Sequence, residues 1–388
     1  MRVSLFFSDL AGGGTQRRML TLARGLLERG DPVEIVVASG SGPFRAAVPR
    51  GAPVVPLGNP WRRVPGLAWR RGLWVPLSAP TLAARLRAAP PDVLLASSTP
   101  ANLAAVRAVA ASGASVPLAL VLNLPVSAIT ARLPAGGGLL RRLLARAYRR
   151  ADALVAISAG VAEDASRTLG LDRERIEVIP NPVDLAAIGA AAAAPLQDPW
   201  LVPDAPPVLL AVGKLRPQKD LPTLLTAFAE LRRRRPARLV ILGEGPERAR
   251  LEEMARRLGV EADLRLPGFE PNPFAWMARA SLFILSSRFE GFSNVLAEAL
   301  ACGCRIVATD CPHGPRELLL GGRLGRLVPP GDAPALAAAM AAALDAPHDP
   351  SAGPARVAKL SVERAVDAYR AVLARIAGVA PVALPRVA

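Results

Sequence analysis

The stretch Ser286-Ser287-Arg288-Phe289-Glu290-Gly291-Phe292-Ser293-Asn294-Val295-Leu296-Ala297-Glu298-Ala299-Leu300 decides how this chain folds. The apolar run Leu282–Leu285 before it reads as a strand, and the pattern from Asn294 onward reads as a helix. A strand, a glycine-bearing turn and a helix start form the repeating unit of a parallel α/β sheet. Backbone N–H groups at a helix start attract a diphosphate, and Gly291 lets it approach closely. Glu298 falls one turn inside the helix, where its carboxylate can accept hydrogen bonds from vicinal hydroxyls such as those of a ribose. Glu290 stands in the loop before the helix, where it can meet a sugar. Taken singly, each glutamate is better explained as a solvated or helix-capping acid.

Outward from this segment the same alternation repeats. Upstream, strands are expected at Val3–Phe7, Val33–Ala38, Val93–Ala96, Leu118–Leu122, Ala153–Ile157 and Ile176–Ile179, with amphipathic helices between them. A second series runs through Val208–Val212, Leu239–Leu242, Leu264–Leu266, Leu282–Leu285, Ile306–Ala308 and Gly325–Val328. The expected fold is α/β: two doubly wound, Rossmann-like domains facing each other across a cleft, with ligands at the carboxyl ends of both sheets. With 388 residues, two cores are also the default on size. The alanine run after Gly189 and the prolines up to Pro207 suggest a linker over 191–207, between domains at 1–190 and 208–360. The last segment, 361–388, carries a helix over Val362–Ile376 that is expected to pack back on the first domain.

The lysines point to the same loop region. The chain has three lysines, Lys214, Lys219 and Lys359, against 45 arginines, and two of the three lie within six residues after the strand Val208–Val212. A compact ammonium suits a point contact with a phosphate oxygen where a guanidinium fork does not fit. Two solvated loop lysines are the plainer alternative.

Glu290 and Glu298 are embedded in E-G-F-S-N-V-L-A-E-A-L, which resembles the signature of glycosyltransferase family 4, whose members have the GT-B fold. The resemblance continues through Ala308–Glu317, Val212–Asp220, Leu242–Glu247, Ile179–Asp184 and the glycine-rich loop Gly12-Gly13-Gly14-Thr15-Gln16-Arg17. It is dense in the second half and sparse in the first. It implies a retaining transfer from a nucleotide sugar, with Glu290, Lys219 and Lys214 as the catalytic set. Glu290 would contact the transferred sugar, and Lys219 and Lys214 would neutralise the departing diphosphate. The donor side would comprise Gly13, Gly14, Gly213, Gly268, Phe269, Gly291, Phe292, Ser293, Asn294, Val295 and Glu298, with Glu298 at the ribose and Phe269 near the base. Breaking the glycosidic bond puts negative charge on the leaving nucleotide, which two cations and helix-start N–H groups can stabilise. No DxD motif occurs, so neither a metal nor a separate cofactor is expected. The pattern departs from the family at two places. Position 214 is commonly arginine, and lysine keeps the charge but loses bidentate geometry. Many members place a histidine in the first domain, whereas this chain has only His313 and His348. Asn123 is the candidate for that position, with Arg17 as a second acceptor-side residue. The expected donor is a UDP-hexose or UDP-N-acetylhexosamine, with GDP-mannose behind it, and the expected acceptor is a glycan or lipid-linked glycan.

Charge separates the halves. Residues 1–150 hold 20 arginines against five acids, whereas the remaining 238 carry 28 basic and 27 acidic groups. A basic first half attracts anions, and an anionic membrane surface is the expected partner; no nucleic-acid motif accompanies it. Trp61-Arg62-Arg63, Trp69-Arg70-Arg71 and Trp74 form either an interfacial segment or a loop whose tryptophans pack inward. Cys302, Cys304 and Cys311 lack metal-ligand spacing and histidine partners, and are expected to be small buried thiols in a reducing compartment. Without a targeting segment or an apolar run long enough to span a bilayer, the expected location is the cytoplasm, peripheral to the inner face of its membrane. A nucleotide-sugar epimerase of the same architecture and a basic binding module are the rival readings. A dinucleotide site fails because G-x-G-x-x-G is not met at Gly12–Gly14.

Overall fold

The computed structural model describes residues 1–11, 13–58, 74–131, 133 and 136–379. Gly12 and the Trp61–Arg71 stretch lie outside the described residues. The chain divides into two compact units, Met1–Pro182 with Val362–Ala388, and Val183–Ser361.

The first unit is built on a parallel sheet of seven strands: β1 (Val3–Asp9), β2 (Val33–Ser39), β3 (Val54–Pro56), β4 (Val93–Ser97), β5 (Leu118–Leu122), β6 (Ala153–Ala156) and β7 (Ile176–Val178), in the order β3-β2-β1-β4-β5-β6-β7. The strands are apolar runs rather than alternating ones because helices cover both faces. All seven residues of β1 are buried accordingly. Only β3 escapes the pattern reading. It is a three-residue edge strand between prolines, where a missing N–H costs nothing. The strand order reverses between β1 and β4, so the carboxyl ends of these two strands form the switch point of this sheet. Trp74, the described member of the Trp/Arg stretch, is buried.

The second unit carries β8 (Val208–Val212), β9 (Arg238–Leu242), β10 (Leu264–Gly268), β11 (Leu282–Leu285), β12 (Ile306–Thr309) and β13 (Arg326–Val328), all parallel, in the order β10-β9-β8-β11-β12-β13. Phe228, Leu224 and Leu225 of the helix Leu221–Arg234 and Met340 and Leu336 of the helix Ala333–Asp345 fill its core.

The unit boundary differs from the expected one. Residues 191–207 belong to the second unit, and the preceding Leu185–Ala192 is a helix. Alanine is the strongest helix former, and Asp184 caps the helix by accepting from Ala187 N at 2.9 Å. Asn272 Nδ2 and Arg279 donate to carbonyls of Ala191, Ala192 and Ala194, fixing the end of that helix to the second unit. The next prolines flank Trp200, whose ring carries the guanidinium of Arg265 at 4.0 Å. The crossover therefore falls at Pro182/Val183, not at 191–207. The helix Val362–Ile376 belongs to the first unit. Gly25 leaves room for Val366 there, Arg29 pairs with Asp367 at 2.6 Å, and Arg370 pairs with Asp31 at 2.6 Å.

Candidate functional site

Three loops leave the carboxyl ends of β8, β11 and β12 in the second unit and are laced together. Ser286 Oγ donates to Lys219 O at 2.7 Å, Gln218 Nε2 donates to Phe289 O at 3.0 Å, and Arg288 N donates to Gln218 O at 2.8 Å. On the other side Glu290 N donates to Pro312 O at 2.8 Å, and His313 N donates to Glu290 O at 2.9 Å. Thr309 Oγ1 donates to Ser287 O at 2.6 Å. The main chain of Glu290 is thus held on both flanks.

Its side chain is held as well. Glu290 Oε1 accepts from Lys219 Nζ and from Ser287 Oγ, both at 2.7 Å. The two charged side chains are 9% and 19% exposed, so each is largely out of water and each compensates the other. Removing either partner leaves a poorly solvated charge, which is the costly way to break such a pair. Gly213 makes the geometry possible, because a Cβ there would stand 3.1 Å from Lys219 Cε. Gly314, at φ +104°, does the same for the neighbouring loop, since a Cβ would fall 2.6 Å from Phe292 O.

The helix Asn294–Ala301 opens at this loop. Its cap residue Ser293 sits at φ +71°, makes no side-chain cap bond, and buries a hydroxyl with no partner. No acid lies in the first turn, so nothing of the helix's own offsets the positive end of its dipole. Gly291, Phe292 and Ser293 are buried, Asn294, Val295 and Glu298 half-buried. Gly268 ends β10 and is followed by Phe269, whose ring is 76% exposed. Lys214 is exposed on the loop that carries Lys219. A cation, a carboxylate, two hydroxyls and an open helix start within one loop cluster can hold an anion and hydrogen-bond a polyol.

The first unit gathers a different set. Arg18, on the helix Gly14–Glu28, is 4% exposed. It donates from Nη1 to Asn181 Oδ1 at 2.8 Å, and from Nη2 to Ser97 Oγ at 2.5 Å and Asn123 Oδ1 at 2.7 Å. Asn123 Nδ2 donates in turn to Ser97 Oγ at 3.1 Å, so a cation fixes which way the amide points. No carboxylate among the described residues balances Arg18, its Nε finds no partner there, and burial holds its pKa below the usual arginine value. The buried Tyr369 hydroxyl is also unpartnered, and burial pushes its pKa up. It is therefore Arg18, not the exposed Arg17, whose guanidinium reaches Asn123. Gly13 caps the same helix without a side-chain bond, and Gly14 begins it.

The sequence reading missed Ser287, Arg18, Ser97 and Asn181. Ser287 had a signal, a buried hydroxyl position three residues before Glu290; Arg18 had none, one arginine among twenty in its half. The cysteines are free. Burial first, and the carboxylate of Glu290 second, pushes the Cys311 thiol up to about 12; burial, and then Glu298, pushes Cys302 up to about 12. Cys304 is raised as well, again by burial. No cluster of three or more His, Cys, Asp or Glu residues among the described residues could hold a metal ion.

Comparison with known proteins gives the family and the fold. A family model described as Glycosyltransferase Family 4 matches residues 12–187, and one described as Glycosyl transferases group 1 matches 206–346. One relative is the N-acetylgalactosamine-N,N'-diacetylbacillosaminyl-diphospho-undecaprenol 4-alpha-N-acetylgalactosaminyltransferase of Campylobacter jejuni, 37% identical over 186 residues, covering 48% of this chain and 49% of that protein. Another is the lipopolysaccharide core biosynthesis glycosyltransferase LpsE of Rhizobium meliloti, 34% identical over 193 residues, covering 50% and 54%. The chain spans about half the length of the curated relatives it matches. Among solved structures, Anabaena HepE in complex with UDP and glucose superposes with a TM-score of 0.76 at 20% identity, covering 97% of this chain and 100% of that one. The lipopolysaccharide outer core galactosyltransferase WaaB, in its apo form, gives 0.70 at 19% identity, covering 96% and 99%. At these identities the likeness speaks to the fold alone. By its two matched models and its pair of parallel-sheet domains, the chain belongs to glycosyltransferase family 4 and has the GT-B fold.

Proposed function

We propose that this chain is a retaining glycosyltransferase. It moves a hexose or N-acetylhexosamine from a UDP-linked donor to a glycan or lipid-linked acceptor in cell-surface polysaccharide or lipopolysaccharide synthesis. It works without a metal, on the cytoplasmic side of the membrane. The observation that carries this reading is the Lys219–Glu290 pair at 2.7 Å beside the open start of the helix Asn294–Ala301.

In the free protein Lys219 is engaged with Glu290. A donor diphosphate brings negative charge to the helix start and competes for the lysine. Lys219 turning to the phosphate releases a Glu290 oxygen to accept from hydroxyls of the sugar, while Ser287 keeps the carboxylate in register. As the glycosidic bond breaks, the growing charge on the leaving diphosphate meets Lys219, Lys214 and the helix-start N–H groups, and the largest catalytic effect is electrostatic. Phe269 offers an exposed ring for the base and Glu298 a carboxylate for the ribose. The departing phosphate oxygen receives the proton of the acceptor hydroxyl, which matches attack on the face the nucleotide leaves. The UDP bound to Anabaena HepE and the polysaccharide roles in the names of the relatives support the choice of donor and acceptor class.

The test is a thermal-shift panel of UDP-sugars, UDP, GDP-mannose and GDP, followed by transfer assays with product anomers assigned by NMR. A ligand bound only by the native state raises the melting point with its concentration. Stabilisation by UDP-sugars and an anomeric configuration kept from donor to product are expected. A response to guanine nucleotides alone, or an inverted product, defeats the proposal.

A further inference from the structure

Eight large apolar side chains stand exposed among the described residues, and three of them fall within eleven residues: Leu133 (48%), Leu139 (66%) and Leu143 (44%). The last two lie on the helix Gly137–Tyr148. Leu144, Ala145, Ala147 and Tyr148 of that helix turn into the first unit. Leu139, Arg142, Leu143 and Arg146 share the opposite face, four and three residues apart. Arg141 and Arg149 fold back onto carbonyls of Gly137, Leu169 and Gly170. Arg142 and Arg146 are exposed and pair with no carboxylate among the described residues.

The surroundings deepen the contrast. Between Glu34 and Asp152 the sequence holds fifteen arginines and a single acid, Asp92. Apolar side chains interleaved with unpaired cations are what a helix lying in a bilayer interface presents, with the leucines entering the acyl boundary and the arginines meeting phosphates. A second copy of the chain would bring arginine against arginine, so self-association is opposed by charge.

We infer that the outer face of the helix Gly137–Tyr148, approached by Leu133, docks the first unit on an anionic phospholipid surface. The inference rests on exposure and charge rather than on the transferase reading. A lipid-linked acceptor would make such docking useful, but the surface stands without it.

The experiment is co-sedimentation of the full chain with vesicles rich in phosphatidylglycerol and with pure phosphatidylcholine vesicles. Binding to the anionic vesicles alone is expected, weakening as salt screens the arginines. Leu139→Glu/Leu143→Glu should lower partitioning by more than about tenfold, with an unchanged melting point because both side chains are exposed. Arg142→Glu/Arg146→Glu should lower it by at least about 25-fold, taking about fivefold for each arginine near the surface. Glu290→Gln should bind vesicles like the parent, which separates a failure of docking from a failure of the transfer reading. Equal binding to phosphatidylcholine, or wild-type binding by the leucine variant, overturns the inference. So does a dimer in sedimentation that the leucine variant dissolves, which would assign the face to a second copy.

Discussion

The carboxyl edges of the two sheets handle charge in opposite ways. In the second unit a cation and an anion meet, Lys219 to Glu290, in loops tied down by short main-chain bonds. In the first unit the guanidinium of Arg18 is buried among Ser97, Asn123 and Asn181, and its acceptors among the described residues are neutral oxygens. A paired charge can change partners when a ligand arrives, because each half is already stabilised by something it can let go. A solitary buried cation held by three neutral groups has no such alternative; it orients those groups. The second edge is thus suited to a charge that moves during reaction, and the first to fixing the direction of an amide.

That contrast can be broken by substitution. The largest effect should come from Glu290→Gln or Lys219→Ala. Each is expected to lower kcat by about 10²–10³-fold, the range for losing one electrostatic contact to the transition state. The double variant should be little worse than the worse single one, because the pair acts as a unit. Initial rates at saturating donor read this; independent, additive losses would mean the two residues do not share a task.

Next in size is Gly314→Ala, where a left-handed φ and a Cβ 2.6 Å from Phe292 O must both be relieved. A loss of about 2–3 kcal/mol in stability is expected, with weaker donor binding, from denaturant melts with and without UDP. Unaltered donor affinity would show that the loop does not need its stitched form.

Arg18→Met should cost less, about 1–2 kcal/mol. Three oxygens lose a donor, but removing an uncompensated buried charge offsets part of that loss. Its signature should be a raised acceptor KM with donor KM unchanged, and Arg18→Lys should recover part of the change. A shift in donor KM would erase the distinction between the edges.

The smallest effect concerns the thiols around the second edge. Cys311 and Cys302 are pushed up to about 12 from an ordinary 9.0, so the folded state holds these protons more tightly than the unfolded chain does. Their contribution to stability is whole below pH 9 and drains away as pH climbs from 9 toward 12. Melting points should therefore be insensitive to these groups between pH 6 and 8. At pH 8 the Cys311 thiolate fraction should be on the order of a thousandfold below that of a free thiol, so native protein should resist thiol reagents. Rapid modification of Cys311 at pH 8 would place it in a looser loop than the hydrogen bonds allow.

Much of this was legible before the fold was known, and the division follows the same contrast. The second edge is assembled from three short stretches, 213–220, 286–298 and 309–314, each following a strand, so strand-loop-helix patterning marks its residues without knowledge of the packing. The first edge draws on positions 18, 97, 123 and 181, whose juxtaposition depends on strand order. Nothing local distinguishes Arg18 from its exposed neighbour Arg17. The strands themselves were clear because burial on both faces leaves unbroken apolar runs, and β3 was missed because three residues between prolines carry no period. The displaced boundary has a similar cause. Alanine and proline runs resemble a tether by composition, yet Asp184 caps a helix there and Trp200 anchors the proline-rich stretch to the second unit.

The path of the chain between the units has a consequence for synthesis. It leaves the first unit at Pro182 and returns only at Val362, with the helix Val362–Ile376 seating Val366 against Gly25. A ribosome therefore delivers the whole second unit before the last helix of the first one exists. The second unit, contiguous in sequence, can close while its predecessor waits with the Gly25 side of the helix Gly14–Glu28 uncovered. During that interval the nascent protein shows apolar surface that chaperones would bind, and a chain interrupted shortly before residue 362 would keep showing it.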